Sequence, residues 1–170
     1  EILNQINNGI DQVDYLGNNS LVLSLKKRQE DVALKIISSG IKNINYIDRH
    51  GDSALSCALR YEYDKVSNLL LNNSSINVNH VDKHGDSILL IAIDHLKEEI
   101  GMRIVKEFSV NLNYINKHGF DAITLCITKR LRNLANLLID KGVNTQHVSN
   151  LGDTSLIYAL NNDFADIAEK

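Results

Sequence analysis

The 170-residue sequence contains no proline and no tryptophan, and its two cysteines, Cys57 and Cys126, are too few for a disulfide framework. We therefore expect a reducing compartment, the cytoplasm. The longest apolar run, from Ile88 to Ile93, is too short to cross a bilayer, so no membrane association is expected. The formal net charge of −3 argues against a nucleic-acid-binding domain, which would be strongly basic. The apolar fraction of 44% suffices for a folded core.

A repeat organises the whole sequence. Five glycines recur at steps of 34, 34, 34 and 33 residues: Gly17, Gly51, Gly85, Gly119 and Gly152. Positions are counted here from the glycine of each repeat, so that +4 lies four residues after it. Positions +4 and +8 are always Leu or Ile and +7 is always small, which predicts one stripe of a first helix. Apolar residues at +15, +19 and +20 of the first four repeats predict a second helix.

The residues around each glycine predict a turn that leads into the first helix. Position +2 always holds a residue that favours the N-cap: Asn19, Ser53, Ser87, Asp121 and Thr154. We expect each glycine to supply a positive φ in the turn.

Three stretches, Ser53–Ala58, Ser87–Ala92 and Thr154–Ala159, resemble the T-P-L-H-x-A signature of ankyrin repeats in their Thr/Ser, Leu and Ala positions. Their Pro and His positions do not match. The resemblance implies an all-α ankyrin-repeat solenoid of stacked helix–turn–helix units joined by Gly-centred turns. The alternative, a tetratricopeptide array with a period of about 34 residues, lacks its bulky aromatic positions and its terminal proline here.

We expect one ankyrin-repeat domain over residues 1–170. It divides into a partial repeat at 1–12, full repeats at 13–46, 47–80, 81–114 and 115–148, and a truncated repeat at 149–170. Neither end has the pattern of a polar capping repeat, which indicates a segment of a longer array or of a larger protein. We expect the segment to be monomeric.

Few residues are candidates for chemistry. His50, His84 and His118 precede the turn glycine, one per repeat. Stacked repeats lie about 10 Å apart, whereas zinc ligands lie about 2 Å from the metal, so we expect no metal and no other cofactor. The remaining enzymatic alternative is a nucleophile at Cys57, which has no recurrent His or Asp at catalytic offsets.

The resemblance implies a protein-interaction module within a larger scaffold, adaptor or effector, with partner contacts at positions −2, −1 and +1 of the turns and +9 and +10 of the first helices. The expected partner-binding residues are Lys26, Lys27, Arg49, His50, Asp52, Arg60, Tyr61, Lys83, His84, Asp86, Asp94, His95, Lys117, His118, Phe120 and Lys129. Tyr61 and Phe120 are the candidate anchors. For Phe120 the alternative is packing onto its neighbour in the stack. A passive spacer within a longer solenoid is the alternative function.

Seven basic residues outnumber four acidic ones at these positions of the five repeats, Asp153 included. The excess predicts a mildly basic concave face and a partner with acidic patches. The resemblance further implies that Asn45, Asn79 and Asn113, which precede the turns, are candidates for hydroxylation by an asparaginyl hydroxylase.

Overall fold

A computed structural model describes residues 12–150, 152–162 and 164. The chain divides into two compact units, the first ending at Lys83 and the second beginning at His84. The described residues form nine α-helices and, apart from isolated β-bridges, no strands, which confirms the all-α prediction for this part of the chain.

Unit 1 contains two helix pairs. The first pair is α1 (Ser20–Lys26) and α2 (Glu30–Ser38), and the second is α3 (Ala54–Arg60) and α4 (Asp64–Leu71). Within a pair the two helices pack together, and between pairs α1 packs on α3 and α2 on α4. First helices thus stack on first helices and second helices on second.

Unit 2 repeats this arrangement. Its helices are α5 (Ile88–Asp94), α6 (Glu98–Glu107), α7 (Ala122–Thr128), α8 (Arg132–Asp140) and α9 (Ser155–Asn161). The first helices α5, α7 and α9 pack in sequence, and α6 packs on α8. Each full repeat expected from the sequence contains one helix pair. The expected partial repeat at 1–12 lies outside the described residues except for Gln12, and much of 149–170 does as well.

The five first helices begin where the sequence predicts. Asn19 and Asp121 accept hydrogen bonds at their side-chain oxygens from the amides of Val22 (2.9 Å) and Thr124 (2.8 Å). Ser53 forms a reciprocal capping box with Ser56. Ser87 and Thr154 cap α5 and α9 in the same way as Asn19 caps α1. All five turn glycines have positive φ, as expected.

The predicted apolar stripes form the core, with exceptions in the first and last repeats. Positions +4 and +8 are buried in the first four repeats, where α1, α3, α5 and α7 each pack on a neighbouring first helix. In α9 the corresponding Leu156 and Leu160 are 49% and 60% exposed, because among the described helices only α7 packs against α9. Val32 of α2 is 43% exposed, because among the described helices only α4 stacks on α2 as a neighbouring second helix.

The loop between the paired helices contains a feature that the sequence reading missed. In four repeats the backbone at position +11 adopts the left-handed conformation, with φ between 59° and 62°, although none of these residues is glycine: Arg28, Glu62, Leu96 and Arg130. An L-residue other than glycine is strained in this conformation by about 1–2 kcal/mol. The strain is tolerated because the tight connection places the next helix back against the first.

Candidate functional site

The turn glycines are needed for space as well as for their dihedral angles. A Cβ atom at Gly17 would lie 2.5 Å from Cγ of Arg49, and one at Gly85 would lie 2.6 Å from Cγ of Lys117. In both cases the residue at −2 of the next repeat crosses the glycine. Arg49 also donates from Nη1 to the carbonyl oxygen of Tyr15 at 3.0 Å. The stems of these predicted partner-binding residues are therefore part of the stacking contact, although both residues remain exposed overall.

The same relationship recurs at the other two steps. Lys83 lies over Gly51, with its backbone nitrogen 3.1 Å from the site of a Cβ, and Asn150 lies over Gly119. The register between successive turns is therefore fixed inside each unit, so the turn tips keep a constant spacing there.

A ladder of hydrogen bonds, which the sequence reading missed, runs parallel to the glycines. In unit 1 the Tyr46 hydroxyl donates to the carbonyl of Gly17 (2.8 Å), and Nε2 of His80 lies 2.8 Å from the carbonyl of Gly51. In unit 2 Tyr114 and His147 bond the carbonyls of Gly85 and Gly119 at 3.0 and 3.1 Å. The signal was available, because position −5 is Tyr or His in four repeats.

A buried polar residue occupies position −3 of the turns in the last four repeats, and Asp48 and Asn116 show how it shapes the turn tip. The Oδ1 atom of Asp48 accepts hydrogen bonds from the amides of His50 (2.8 Å) and Asp52 (2.9 Å). Asn116 does the same for the amides of His118 and Phe120, both at 3.0 Å. The backbone of the predicted tip residues is thus held by side chains from within the core. His50 and His118 are exposed on these tips, as is His84.

In unit 1 the cations at +9 bond to the turn carboxylates of the following repeat. Lys26 bonds Asp48 and also pairs with Asp52 (3.0 Å), and Arg60 bonds Asp82. Burial alone would raise the pKa of Asp48, but the bond from Lys26 and the two backbone amides outweigh it and hold the pKa below its usual value. Burial alone would lower the pKa of Lys26, but its bonds to the carboxylates raise it.

In unit 2 the corresponding positions do not form this ion pair. Its −3 residues are the neutral Asn116 and Ser149, and the preceding +9 residues are Asp94 and Thr128. Asp94 pairs instead with Lys129 at 2.7 Å. Asp86 accepts a hydrogen bond from Nδ2 of Asn116 at 2.8 Å. Among the described residues, the ion pair between position +9 and the following −3 residue is therefore confined to unit 1.

These contacts change the predicted charge of the face. Counting also the −3 residues Asp14, Asp48 and Asp82, the unit 1 positions hold five cations against four carboxylates, a net charge of +1. The unit 2 positions hold Lys117 and Lys129 against Asp86, Asp94 and Asp153, a net charge of −1. The basic excess predicted for the whole face belongs to unit 1.

Two solved structures are similar to the chain. EF0377, an ankyrin repeat protein, has a TM-score of 0.78 at 20% sequence identity, covering 99% of this chain and 86% of its own. An ankyrin repeat domain, ABAYE2397 from Acinetobacter baumannii AYE, has a TM-score of 0.77 at 22% identity, covering 94% of this chain and 83% of its own. The chain has the ankyrin-repeat fold. The prediction from the glycine-centred repeat is confirmed, although no protein-family model and no curated protein matches the sequence.

The two aromatic anchors predicted on the ankyrin turns and first helices differ in surroundings. Tyr61, the C-cap of α3, is 41% exposed, and its ring centroid lies 6.3 Å from that of Tyr63. Burial raises the pKa of the Tyr61 hydroxyl, and the nearby positive charges of Lys26 and Arg28 act against that shift. Phe120 is half-buried on its turn tip. Lys27 is exposed at the C-cap of α1, and His95 is half-buried at the C-cap of α5.

The asparagines that precede the ankyrin turns tie neighbouring repeats together. Asn45 donates from Nδ2 to the carbonyl of Ser75 (2.7 Å) and accepts at Oδ1 from the amide of Asn77 (2.8 Å). Asn113 accepts from the amide of Asn144 at 2.7 Å. Asn79 is exposed. A modifying enzyme that acts on Asn45 or Asn113 must first break the hydrogen bonds that this side chain makes to the next repeat.

The two thiols of this ankyrin fold are poorly suited to nucleophilic chemistry. Cys57 and Cys126 are free and buried. Burial raises the pKa of Cys57 to about 12 and also raises that of Cys126, so neither is a thiolate at neutral pH. Among the described residues, no three His, Cys, Asp or Glu side chains are grouped as metal ligands. No helix in the described part of the chain has both the length and the apolar character needed to span a membrane.

Proposed function

We propose that this chain is a protein-interaction module that binds a protein partner through its turn tips and the ends of its first helices, within a larger scaffold, adaptor or effector protein. The main support is the construction of each turn. The −3 residue and the glycine hold the backbone from inside, whereas the tip residues His50 and His118 are exposed. Tips held in this way lose little conformational entropy when a partner binds.

The buried state of the cysteines supports binding over catalysis. A Cys57-based enzyme needs a thiolate that can reach its substrate, and this thiol is buried with a raised pKa.

We also propose a cytoplasmic location, which suits two free thiols, and a monomeric state. The partner is proposed to have acidic patches. Hydroxylation of Asn45, Asn79 and Asn113 is retained as a proposal, tested by intact-mass measurement.

The test is capture of partner proteins on the immobilised chain, followed by affinity measurement with each purified partner. We expect Tyr61→Ala or Phe120→Ala to weaken binding by at least about tenfold, the loss typical of an interface anchor. Lys35→Ala, an exposed residue of the second helix α2, is the control and should have no effect. If both aromatic variants bind every partner with unchanged affinity, the proposed face is wrong.

A passive spacer makes a different prediction. Removing one whole repeat, residues 81–114, shortens a spacer without abolishing the activity of the parent protein. The same deletion abolishes capture by a binding module. Full activity of the parent protein after this deletion would favour the spacer.

A further inference from the structure

The first turn, residues 13–18, has a half-buried carboxylate at position −3, Asp14. Its Oδ1 atom accepts a hydrogen bond from the amide of Asn18 at 2.8 Å, and Nδ2 of Asn18 lies 3.2 and 3.0 Å from the two carboxylate oxygens. The bond from the Asn18 side chain, followed by the bond from its backbone, holds the pKa of Asp14 below its ordinary value, so this carboxylate is charged at neutral pH. Among the described residues, no Lys, Arg or His side chain bonds it.

The turn of the second repeat shows what a carboxylate at −3 binds. Lys26, at position +9 of the preceding repeat, bonds Asp48 and also pairs with Asp52 at 3.0 Å. One ammonium group therefore bridges the residues at −3 and +1 of this turn. In the first turn the same two positions hold Asp14 and Asn18, a carboxylate and an amide.

The side chain of Asn18 independently indicates a missing donor. Asn18 is 4% exposed, and its Oδ1 atom is buried without a hydrogen-bond partner among the described residues. Asp14 fixes the orientation of this amide, because a carboxylate accepts from Nδ2 and would repel Oδ1. Oδ1 is attached to the same carbon as Nδ2, so it also lies beside the carboxylate. An ammonium group carries three donors and can bond both residues, which removes the cost of a buried acceptor without a donor.

The charges near the first turn leave this position open for a cation. Asp11 and Asp14 are the only charged residues between positions 2 and 25, and residues 1–11 contain no Lys, Arg or His. Lys26 and Arg60 bond the turns of the second and third repeats. Arg49 lies over the glycine of the first turn, but its guanidinium donates to a backbone carbonyl there.

Exposed apolar side chains flank the unmatched carboxylate in the chain. Val13 precedes it, and Tyr15 and Leu16 follow it, with Tyr15 84% exposed. At positions −2 and −1 the second repeat has Arg49 and His50 instead. A lysine suits both features, because its aliphatic stem packs on apolar surface while its ammonium group bonds the carboxylate.

We propose that the first turn binds a lysine side chain of the protein partner, with an apolar side chain beside that lysine in contact with Tyr15 and Leu16. This inference rests on the proposed function. It adds one basic contact, at the first turn, to the acidic contacts proposed for the rest of the face. Because Asp14 is only half-buried, the interaction weakens as salt increases.

The test is an NMR titration of the full ¹⁵N-labelled chain with a short peptide in which one Lys lies between two Leu residues. The same peptide with acetyl-lysine keeps the apolar groups and removes the charge, and a peptide with Glu in place of Lys reverses it. We expect the lysine peptide to shift the amide signal of Asn18, which donates to Asp14, and to leave those of His50 and Asp52, which donate to Asp48. The acetylated peptide should bind at least about threefold more weakly, the effect of one partly exposed charge pair.

Three variants locate the site. Asp14→Asn removes the charge but keeps the turn, because Asn116 holds the fourth turn in the same way, and it should weaken binding at least about threefold. Asn18→Asp copies Asp52 and should tighten binding by about the same factor. Asp31→Asn removes an exposed carboxylate of α2 and is the matched control, with an expected change below about 1.5-fold. Amide spectra confirm folding, and Asn18→Asp tests the site even if Asp14→Asn fails to fold.

Each contrary outcome overturns the inference. These outcomes are an unchanged Asn18 signal, equal binding of the acetylated or Glu peptide, and equal losses in Asp14→Asn and Asp31→Asn. A larger shift with MgCl₂ than with the peptide would assign the turn to a divalent cation, and a shift with protein concentration alone would assign it to a second copy. If Asp14→Asn binds a purified partner normally whereas Tyr61→Ala or Phe120→Ala weakens that binding, the proposed function stands and only this inference falls.

Discussion

The Nε2 atom of His80 lies 2.8 Å from the carbonyl oxygen of Gly51, and the hydroxyl of Tyr46 lies at the same distance from the carbonyl of Gly17. Because a carbonyl oxygen only accepts hydrogen bonds, His80 donates through Nε2 and needs no positive charge to do so. The imidazole and the phenol therefore perform one task, which is to fasten a turn to the turn before it.

Replacing His80 with Tyr should change the free energy of unfolding by less than about 0.5 kcal/mol, because the hydroxyl restores the donor. His80→Phe keeps a ring but loses the donor, and should cost about 1 kcal/mol. Urea denaturation measures both values. Equal destabilisation by Tyr and Phe would show that the bond to Gly51 is not what this position contributes.

Gly85→Ala should destabilise the fold by about 3 kcal/mol, the sum of the left-handed strain and the overlap with Lys117. Gly152→Ala is the matched control: its φ is +86°, against +84° for Gly85, and no atom of the described residues lies within 4 Å of the added atom. The control should cost about 1 kcal/mol. In a Lys117→Ala background the cost of Gly85→Ala should fall towards that of the control, as thermal or urea denaturation of the double-mutant cycle will test.

Asp48→Asn copies Asn116, the residue at this turn position in the fourth repeat, and should lower stability at neutral pH by about 1.5 kcal/mol. The pKa of Asp48 is lowered on folding, so its contribution is complete above the ordinary value of 3.8 and disappears as the pH falls through the lower folded value. The stability gap between wild type and variant should therefore close in acid. Denaturation curves from neutral pH down to about pH 2 test this, and a constant gap would contradict it.

Ser67→Ala should stabilise the protein by about 1 kcal/mol. The Ser67 hydroxyl is fully buried and has no hydrogen-bond partner among the described residues, whereas the equivalent residues Ala33 and Ala135 place a methyl group there. Ser56→Ala provides the opposite expectation, a loss of about 1 kcal/mol, because Ser56 completes the capping box of α3. A thermal melt in which both variants lose stability would show that Ser67 has a partner.

The sequence predicts local structure well in this chain. The N-cap residues, the positive φ of the turn glycines and the apolar stripes of the first helices are encoded within a few residues of where they act. The first and last described repeats depart from the stripe prediction, because a stripe specifies which side chains are apolar and not what packs on them. Leu160 belongs to the same stripe as Leu25, yet 60% of it is exposed.

Contacts between repeats were harder to predict. The Tyr46 and His80 ladder was missed because the two residues look unrelated until their shared hydrogen-bond acceptor is seen. The pairing of Lys26 with Asp48 was missed because each residue was assessed within its own repeat. The left-handed Leu96 follows from the closure of a short loop, which outweighs the preference of the residue itself.

The bond between Lys26 and Asp48 has a consequence for anyone who would shuffle the modules of this protein. The cation lies in one repeat and the carboxylate that it bonds lies in the next, so the order of the repeats determines whether opposite charges meet. Transplanting the segment that ends in Asp94 ahead of the turn that contains Asp48 would set two carboxylates against each other, because Asp94 would replace the cation that bonds Asp48. Grafts that keep position +9 together with the following −3 residue avoid this conflict.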